Sequence, residues 1–125
     1  MQATVLVVDD DPLVRWSMRA ALAPRGFRVL SAGTGAEAVR LAGKEPVDVV
    51  LLDWSLPDGD GLAVVPALVR TSPGCRVLLL TAYASDEMAV RAEAVGARIL
   101  AKPFEVDEVL RRVEVEVRSS IRMQE

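Results

Sequence analysis

The sequence contains no histidine, a single cysteine and no apolar run of about 20 residues. The lone Cys75 cannot form a disulfide within the chain. A charged-then-apolar leader is also missing, so export and membrane insertion have no support, and we expect a cytoplasmic protein without membrane contact. Basic clusters are missing as well, and the net charge is −3. We therefore do not expect this domain itself to bind nucleic acid.

The composition that is present is typical of a compact domain. The chain has 125 residues, of which 51% are hydrophobic and 26% are charged. This is enough to bury one core without disulfides or structural metals. We predict a single domain over 1–125, with no room for a second catalytic domain. Residues 119–125 can form the start of a linker to an output domain.

Five short apolar runs alternate with stretches of helical periodicity. The runs occupy 5–8, 27–32, 49–52, 77–80 and 98–101, and Asp11, Thr34 and Ser85 stand where helix caps are expected. This alternation is typical of a parallel sheet with crossover helices. The sequence therefore predicts an α/β fold of the doubly wound (βα)5 type, with a five-stranded parallel sheet.

Polar side chains follow four of the five predicted strands. Asp9, Asp10 and Asp11 follow the first strand, Asp53 the third, Thr81 the fourth and Lys102 the fifth. Because the carboxyl ends of parallel strands share one edge, where functional loops gather, we expect these side chains to meet. The sequence therefore predicts one polar site at this edge of the sheet.

The predicted site is rich in carboxylates. Two carboxylates about 4 Å apart repel by about 4 kcal/mol at an effective dielectric of about 20, so such a cluster normally needs a cation. Oxygen ligands alone favour Mg²⁺ or Mn²⁺. A carboxylate held at such an ion can attack phosphorus to give an acyl phosphate, while a hydroxyl and an ammonium neutralise the transferred oxygens. Asp53, Thr81 and Lys102 fit these three roles.

Four segments carry a resemblance to a known family. They read VLVVDDDP, VVLLDWSLPDGDGL, VLLLTAY and ILAKPF. The receiver domains of two-component response regulators carry, in this order, an acidic pair, an acceptor aspartate, a threonine or serine, and a lysine before proline. The chain resembles that family over essentially its entire length. The resemblance implies a chemotaxis-regulator-like fold with the flavodoxin-like strand order 2-1-3-4-5, and phosphorylation of Asp53.

The resemblance also implies the metal ligands. It suggests Mg²⁺ as the ion and Asp9 and Asp10 as the acidic pair. Asp10 and Asp53 would bind the ion directly, together with the backbone carbonyl of Ser55. A cis peptide bond is further implied before Pro103.

Partners and output follow from the same resemblance. A sensor histidine kinase or a phosphotransfer protein would donate the phosphoryl group, and the domain would catalyse only its own phosphoryl transfer and slow self-dephosphorylation. Phosphorylation would draw Thr81 inward and remodel the face made by helix 4, strand 5 and helix 5. That face would control an output domain, as in transcription regulation, or form a homodimer. Many receivers have an aromatic switch residue where this sequence has Ile99, which leaves the route of the signal open.

Four further residues lie near the predicted site or carry large aromatic rings. Ser55 and Tyr83 each stand two positions beyond a predicted site residue. We hypothesise that Tyr83 shields the acyl phosphate from water and slows its hydrolysis. Packing is the favoured interpretation for Trp16 and Trp54, and kinase docking is the alternative for Trp54.

Three other classes of protein were weighed. An aspartyl-nucleophile phosphatase would want a second acidic residue two positions after the nucleophile, where Ser55 stands. A flavin binder of the flavodoxin type would need a phosphate loop after the first strand, where three aspartates would repel a phosphate that has no metal ion bound to it. A pseudo-receiver, an interaction module regulated without phosphorylation, stays the main alternative. The acidic pair, Thr81 and Lys102 speak against it.

Overall fold

Strands and helices alternate along the chain as predicted. The computed structural model describes the backbone of residues 2–124 and the side chains of residues 2–119. The strands are β1 (Thr4–Val8), β2 (Arg28–Ala32), β3 (Val49–Asp53), β4 (Ser55–Leu56), β5 (Gly59–Asp60), β6 (Arg76–Thr81) and β7 (Ala97–Ala101). The helices are α1 (Pro12–Leu22), α2 (Gly35–Ala42), α3 (Gly61–Thr71), α4 (Asp86–Ala94) and α5 (Val106–Gln124), with a short 3-10 helix at Ala23–Arg25. Within 2–124, no helix has the length and apolar character needed to cross a bilayer.

The five long strands form one parallel sheet in the order β2-β1-β3-β6-β7. The short strands β4 and β5 pair with each other in a separate antiparallel ladder. When the five main strands are numbered by themselves, the order is 2-1-3-4-5, so the predicted topology is confirmed. The face predicted from helix 4, strand 5 and helix 5 consists of α4, β7 and α5.

Helices cover both faces of the sheet, which explains the continuous apolar runs of the central strands. Alternate residues of a strand point to opposite faces. Leu6 and Val8 therefore join the core under α2, α3 and α4, while Val5 and Val7 join the core under α1 and α5. Every residue of β1 and β3 is buried. Such two-sided burial is the usual condition of parallel strands.

Three helices begin at the caps that the sequence predicts. The side chain of Asp11 accepts a hydrogen bond from the Leu13 amide at 2.9 Å, and Ser85 accepts one from the Met88 amide at 3.2 Å. Thr34 caps α2 in the same way, with Glu37 as its partner at 3.1 Å. Side chains therefore satisfy amides that a helix start leaves without an intrahelical partner.

The segment after β3 is more ordered than the loop that its turn-forming residues predict. It forms the β4–β5 ladder and leads directly into α3, which begins at Gly61. Pro66 lies inside α3, where it has no N–H to donate to the preceding turn. The apolar positions of α3 nevertheless pack, because Val65 and Leu68 are fully buried beside it. Packing of these side chains outweighs the missing hydrogen bond.

The two tryptophans have different environments. Trp54 is only 8% exposed, so its interpretation as a packing residue is confirmed. Trp16 is 66% exposed on α1, and the same interpretation is wrong for it. The helical pattern shows how many positions of α1 are apolar but not how wide a stripe the neighbouring elements cover.

The end of the chain leaves one prediction open. The backbone of α5 continues to Gln124. The side chain of Ile121, the last member of the predicted apolar stripe, lies outside the described residues, as does residue 125. A linker starting within 119–125 therefore stays a prediction.

Candidate functional site

Three carboxylates meet at the carboxyl edge of the sheet. Asp9 and Asp10 follow β1, and Asp53 ends the neighbouring strand β3. One carboxylate oxygen from each residue lies within 4.8 Å of the others. Asp9 is 3% exposed and Asp53 is 9% exposed, whereas Asp10 faces solvent. The parallel pairing of β1 with β3 produces this convergence, as the sequence predicts.

Asp9 is the least satisfied of these carboxylates. Its Oδ1 accepts a hydrogen bond from the Asp11 amide at 2.9 Å, but its Oδ2 is buried and has no hydrogen-bond partner in the described part of the chain. Burial raises the pKa of the Asp9 carboxyl, the Asp11 amide partly offsets that effect, and the charge of Asp53 adds to it. A buried oxygen of this kind needs a counter-charge or a donor. The oxygen donor set therefore fits a hard divalent cation.

The positive charge at the site comes from Lys102. Its Nζ lies 3.5 Å from Oδ1 of Asp53. The Lys102 amide donates to the carbonyl of Thr81 at 2.7 Å, which ties the end of β7 to the end of β6. The peptide bond between Lys102 and Pro103 is cis, as the resemblance implies. One lysine cannot balance three carboxylates.

Thr81 places a hydroxyl at the end of the strand next to β3. It is buried, and its Oγ1 accepts a hydrogen bond from the Tyr83 amide at 3.1 Å. Because that bond uses only a lone pair, the hydroxyl keeps its proton for another acceptor. The side chain of Tyr83 is 84% exposed, and its proposed role as a shield stays a hypothesis.

The segment following Asp53 is held close to the carboxylate of that residue. The Ser55 amide donates to Oδ1 of Asp53 at 3.1 Å, and the Gly61 amide donates to the carbonyl of Trp54 at 2.6 Å. A Cβ at Gly61 would collide with the backbone carbonyl of Asp53. Glycine is thus required where the chain returns against the end of β3.

Two residues that support the site carry no signal in the sequence that sets them apart. Arg15 donates through Nη1 to the carbonyl of Asp9 at 2.6 Å, and it lies under Gly33, where a Cβ would come within 3.4 Å of that nitrogen. Asp58 accepts hydrogen bonds from the first two amides of α2. An arginine in a helix and an aspartate in a turn are ordinary surface residues in sequence, so only the structure reveals these contacts.

Two contacts join the site to α4. The guanidinium of Arg91 lies over the ring of Trp54, 5.6 Å from its centroid. Ile99, at the position where many receivers have an aromatic residue, is half-buried against the core that also includes Met88 and Val95. Trp54, which follows Asp53, is therefore in direct contact with α4.

An apolar groove adjoins Lys102. It has a volume of about 490 Å³ and lies between α1 and the start of α5. Its walls include Leu13, Met18, Pro103 and Phe104. Leu13 is exposed at its rim. The groove therefore presents an apolar surface directly beside Lys102.

Residues 5–114 match the family described as the response regulator receiver domain. The transcriptional regulatory protein KdpE of Mycobacterium tuberculosis (strain ATCC 25618 / H37Rv) is 41% identical over 117 residues. The match covers 91% of this chain and 50% of KdpE. The chain therefore spans about half the length of this relative.

Two solved structures are similar over nearly the whole chain. A response regulator protein from Burkholderia pseudomallei, described with a phosphorylated aspartic acid, calcium ion and citrate, is 32% identical with a TM-score of 0.84, covering 98% of this chain and 72% of that one. The beryllofluoride-activated NtrC4 receiver domain dimer is 32% identical with a TM-score of 0.86, covering 94% of this chain and 98% of that one. Fold, site geometry and family match agree: the chain belongs to the response regulator receiver domains, the signalling domains of two-component systems.

Proposed function

We propose that this domain accepts a phosphoryl group on Asp53, with Mg²⁺ bound beside it, from a sensor histidine kinase or a phosphotransfer protein. The observation that carries the proposal is the buried, partnerless Oδ2 of Asp9 next to Asp53 and Lys102. A site built only for stability would satisfy that oxygen. A bound cation would supply the missing positive charge and would also attract the anionic phosphoryl group.

The residues present fit Mg²⁺. Asp10 and Asp53 would hold the ion together with the backbone carbonyl of Ser55, and Asp9 would stand behind them. When bound, the ion neutralises charge on the transferred oxygens and on the acceptor carboxylate. Two hydrogen bonds hold Asp9 in position for this role. The Asp11 amide donates to its carboxylate, and the Arg15 guanidinium donates to its backbone carbonyl.

The transfer itself requires little covalent chemistry from the protein. A carboxylate oxygen of Asp53 attacks phosphorus, the bond from phosphorus to the donor's imidazole nitrogen breaks, and the electron pair of that bond stays with the imidazole. Lys102 can neutralise one transferred oxygen, and the Thr81 hydroxyl can donate to another. The product is an acyl phosphate on Asp53. The phosphorylated aspartic acid described for the Burkholderia protein supports this product.

The donor would dock on the apolar groove beside Lys102. This groove is next to the acceptor, and Leu13 at its rim is exposed. Leu13→Asp should slow phosphoryl transfer from the kinase while leaving phosphorylation by a small donor unchanged. Val69→Asp, on the exposed side of α3, is the matched control and should affect neither reaction.

The output would pass through the face of α4, β7 and α5. Ala92 is the only residue of α4 that is fully buried, so few apolar contacts hold this helix in place. Arg91 joins it to Trp54, beside the acceptor. A phosphoryl group that draws Thr81 inward would thus shift α4, although position 99 has an isoleucine and not an aromatic residue. This face would control an output domain in transcription regulation or form a homodimer. The similar NtrC4 receiver domain is a dimer, which supports a homodimer here. A cytoplasmic location fits this role and stays a prediction.

Incubation with a small phosphodonor tests the proposal by intact mass. With Mg²⁺ the wild-type chain should gain the mass of one phosphoryl group, and a chelator should abolish the gain. Asp53→Ala should prevent it, whereas Asp107→Asn, an exposed aspartate of α5, should not. A gain that survives in Asp53→Ala would contradict the assignment of the acceptor. No gain with any donor would favour the pseudo-receiver.

A further inference from the structure

The loop that carries Ser55 is anchored at its base, in its middle and at its tip. At its base, the Gly61 amide donates to the Trp54 carbonyl. In its middle, Ser55 pairs with Asp60 and Leu56 with Gly59 in the β4–β5 ladder. At its tip, the side chain of Asp58 reaches a different element of the fold, the start of α2.

The contact at the tip uses both oxygens of one carboxylate. Asp58 Oδ1 accepts from the Gly35 amide and Asp58 Oδ2 accepts from the Ala36 amide, each at 3.0 Å. These hydrogen bonds lower the pKa of the Asp58 carboxyl, so it is charged near neutral pH. The negative charge also faces the positive end of the α2 helix dipole.

The start of α2 is shaped for this approach. A Cβ at Gly35 would come within 2.7 Å of a methyl of Val64 in α3 and within 3.5 Å of both Asp58 oxygens. The absence of a side chain at this position therefore lets α2, α3 and the tip of the loop meet. Thr34, the residue just before α2, caps the third amide of the same turn. Two side chains thus share the capping of one helix, but Asp58 alone ties it to the loop.

We infer that Asp58 is a positioning residue for the metal site: by clasping α2 it holds the β4–β5 loop so that the backbone carbonyl of Ser55 stays where the ion needs it. This inference rests on the proposed function, because it assumes that Ser55 contributes a ligand. Leu56 is the one residue of this loop that packs against the core, whereas Ser55, Pro57 and Gly59 are exposed. The hold of the loop at its tip comes from the Asp58 carboxylate, and groups that orient metal ligands strongly affect metal affinity.

Calorimetric titration with Mg²⁺ tests the inference, with Thr34→Ala as the matched control. Asp58→Ala and Thr34→Ala each remove one cap of α2 and should lower the urea midpoint by similar amounts. Only Asp58→Ala should also raise the Kd for Mg²⁺, by about tenfold, because it alone frees the loop. Asp58→Asn keeps one acceptor oxygen and should give an intermediate value.

Amide hydrogen exchange without metal supplies a second readout. In Asp58→Ala the amides of Leu56 and Gly59, the hydrogen-bonded pair of the ladder, should exchange faster than in wild type, whereas in Thr34→Ala they should not. Equal Mg²⁺ affinity in wild type and Asp58→Ala would overturn the inference alone, and so would an equal loss in both cap variants. A wild-type chain without any affinity for Mg²⁺ would overturn the proposed function, and this inference with it.

Discussion

The two edges of the same sheet treat a buried carboxylate in opposite ways. At the carboxyl edge, Asp9 is buried beside Asp53 with one oxygen unpaired. At the amino edge, Glu116 of α5 is 2% exposed, yet its two oxygens face Arg76 Nε at 3.0 Å and Arg98 Nε at 3.7 Å. Both edges bury acidic groups, but only at the amino edge does each oxygen of the most buried carboxylate face an arginine of the chain.

We infer that Glu116 is a structural acid and that Asp9 belongs to the proposed metal site. Glu116 links α5 to the first residue of β6 and to β7. Two arginines of the fold therefore neutralise its charge. The amino edge satisfies its other polar groups in the same manner: the Val47 amide donates to Ser72 Oγ, and the Thr4 amide donates to Asp48. The carboxyl edge leaves an excess of negative charge, which a stable fold tolerates only where function requires it.

Removal of the structural acid should have the largest effect on stability. We expect Glu116→Ala to lower the free energy of unfolding by about 2 kcal/mol, because it breaks a buried ion pair and leaves Arg76 facing an apolar side chain. Urea unfolding measures the change. Arg98→Ala is the control and should cost under about 1 kcal/mol, since that arginine is exposed and its contact is longer. Equal costs for both variants would contradict the ranking of the two pairs.

Replacement of Asp9, the buried acid of the proposed metal site, should change the free energy of unfolding in the opposite direction. Without metal, Asp9→Asn should raise the free energy of unfolding by about 1 kcal/mol, because it relieves repulsion with Asp53 and gives position 9 a donor. The same urea series, run in the presence of a chelator, reports this change. A destabilised Asp9→Asn would show that the edges do not differ as described.

The pH dependence of that difference follows from the raised pKa of Asp9. Its ordinary value is 3.8, and in the fold burial raises it. Between these two values the native state binds more protons than the unfolded state, so the stability of wild type falls as pH rises through this window. Asp9→Asn lacks this decline. The stability gap between the variants should therefore widen upward from about pH 4 and then stay constant, as metal-free unfolding at several pH values would reveal.

We expect the smallest effect on stability at an ion pair on the solvent-exposed surface of the amino edge. Arg28 pairs with Glu45 through two contacts of 2.8 and 2.9 Å. Both side chains are open to solvent, where such pairs are screened. Glu45→Gln should leave the urea midpoint unchanged within error at moderate salt. A clear loss would place this pair with Glu116 among the structural contacts.

The fold could be predicted because each of its steps has a local cause. Apolar runs of four to six residues, the caps Asp11, Thr34 and Ser85, and the glycines at helix ends each act within a few residues of the chain. The short β4–β5 ladder was missed, because two-residue strands have no periodicity to detect. The exposure of Trp16 was missed as well, because it depends on which elements cover α1.

The chemical members of the site could also be predicted, since parallel strands bring their ends to one edge. The residues that support them could not. Arg15 reaches back from α1 to the carbonyl of Asp9, and Asp58 reaches the start of α2, which lies 23 residues earlier in the chain. No spacing in the sequence marks either contact. The buried acid Glu116 likewise stands among charged residues of α5 that look alike in sequence.

The contrast between the edges is tested most directly by counting the ions that bind. In a calorimetric titration, the wild-type chain should bind one Mg²⁺ per molecule, and Asp53→Asn should lose that binding. Arg98→Ala, at the opposite edge, should keep the wild-type affinity. Absence of binding in the wild type, or full binding in Asp53→Asn, would contradict the claim that the carboxylates at the carboxyl edge form a cation site.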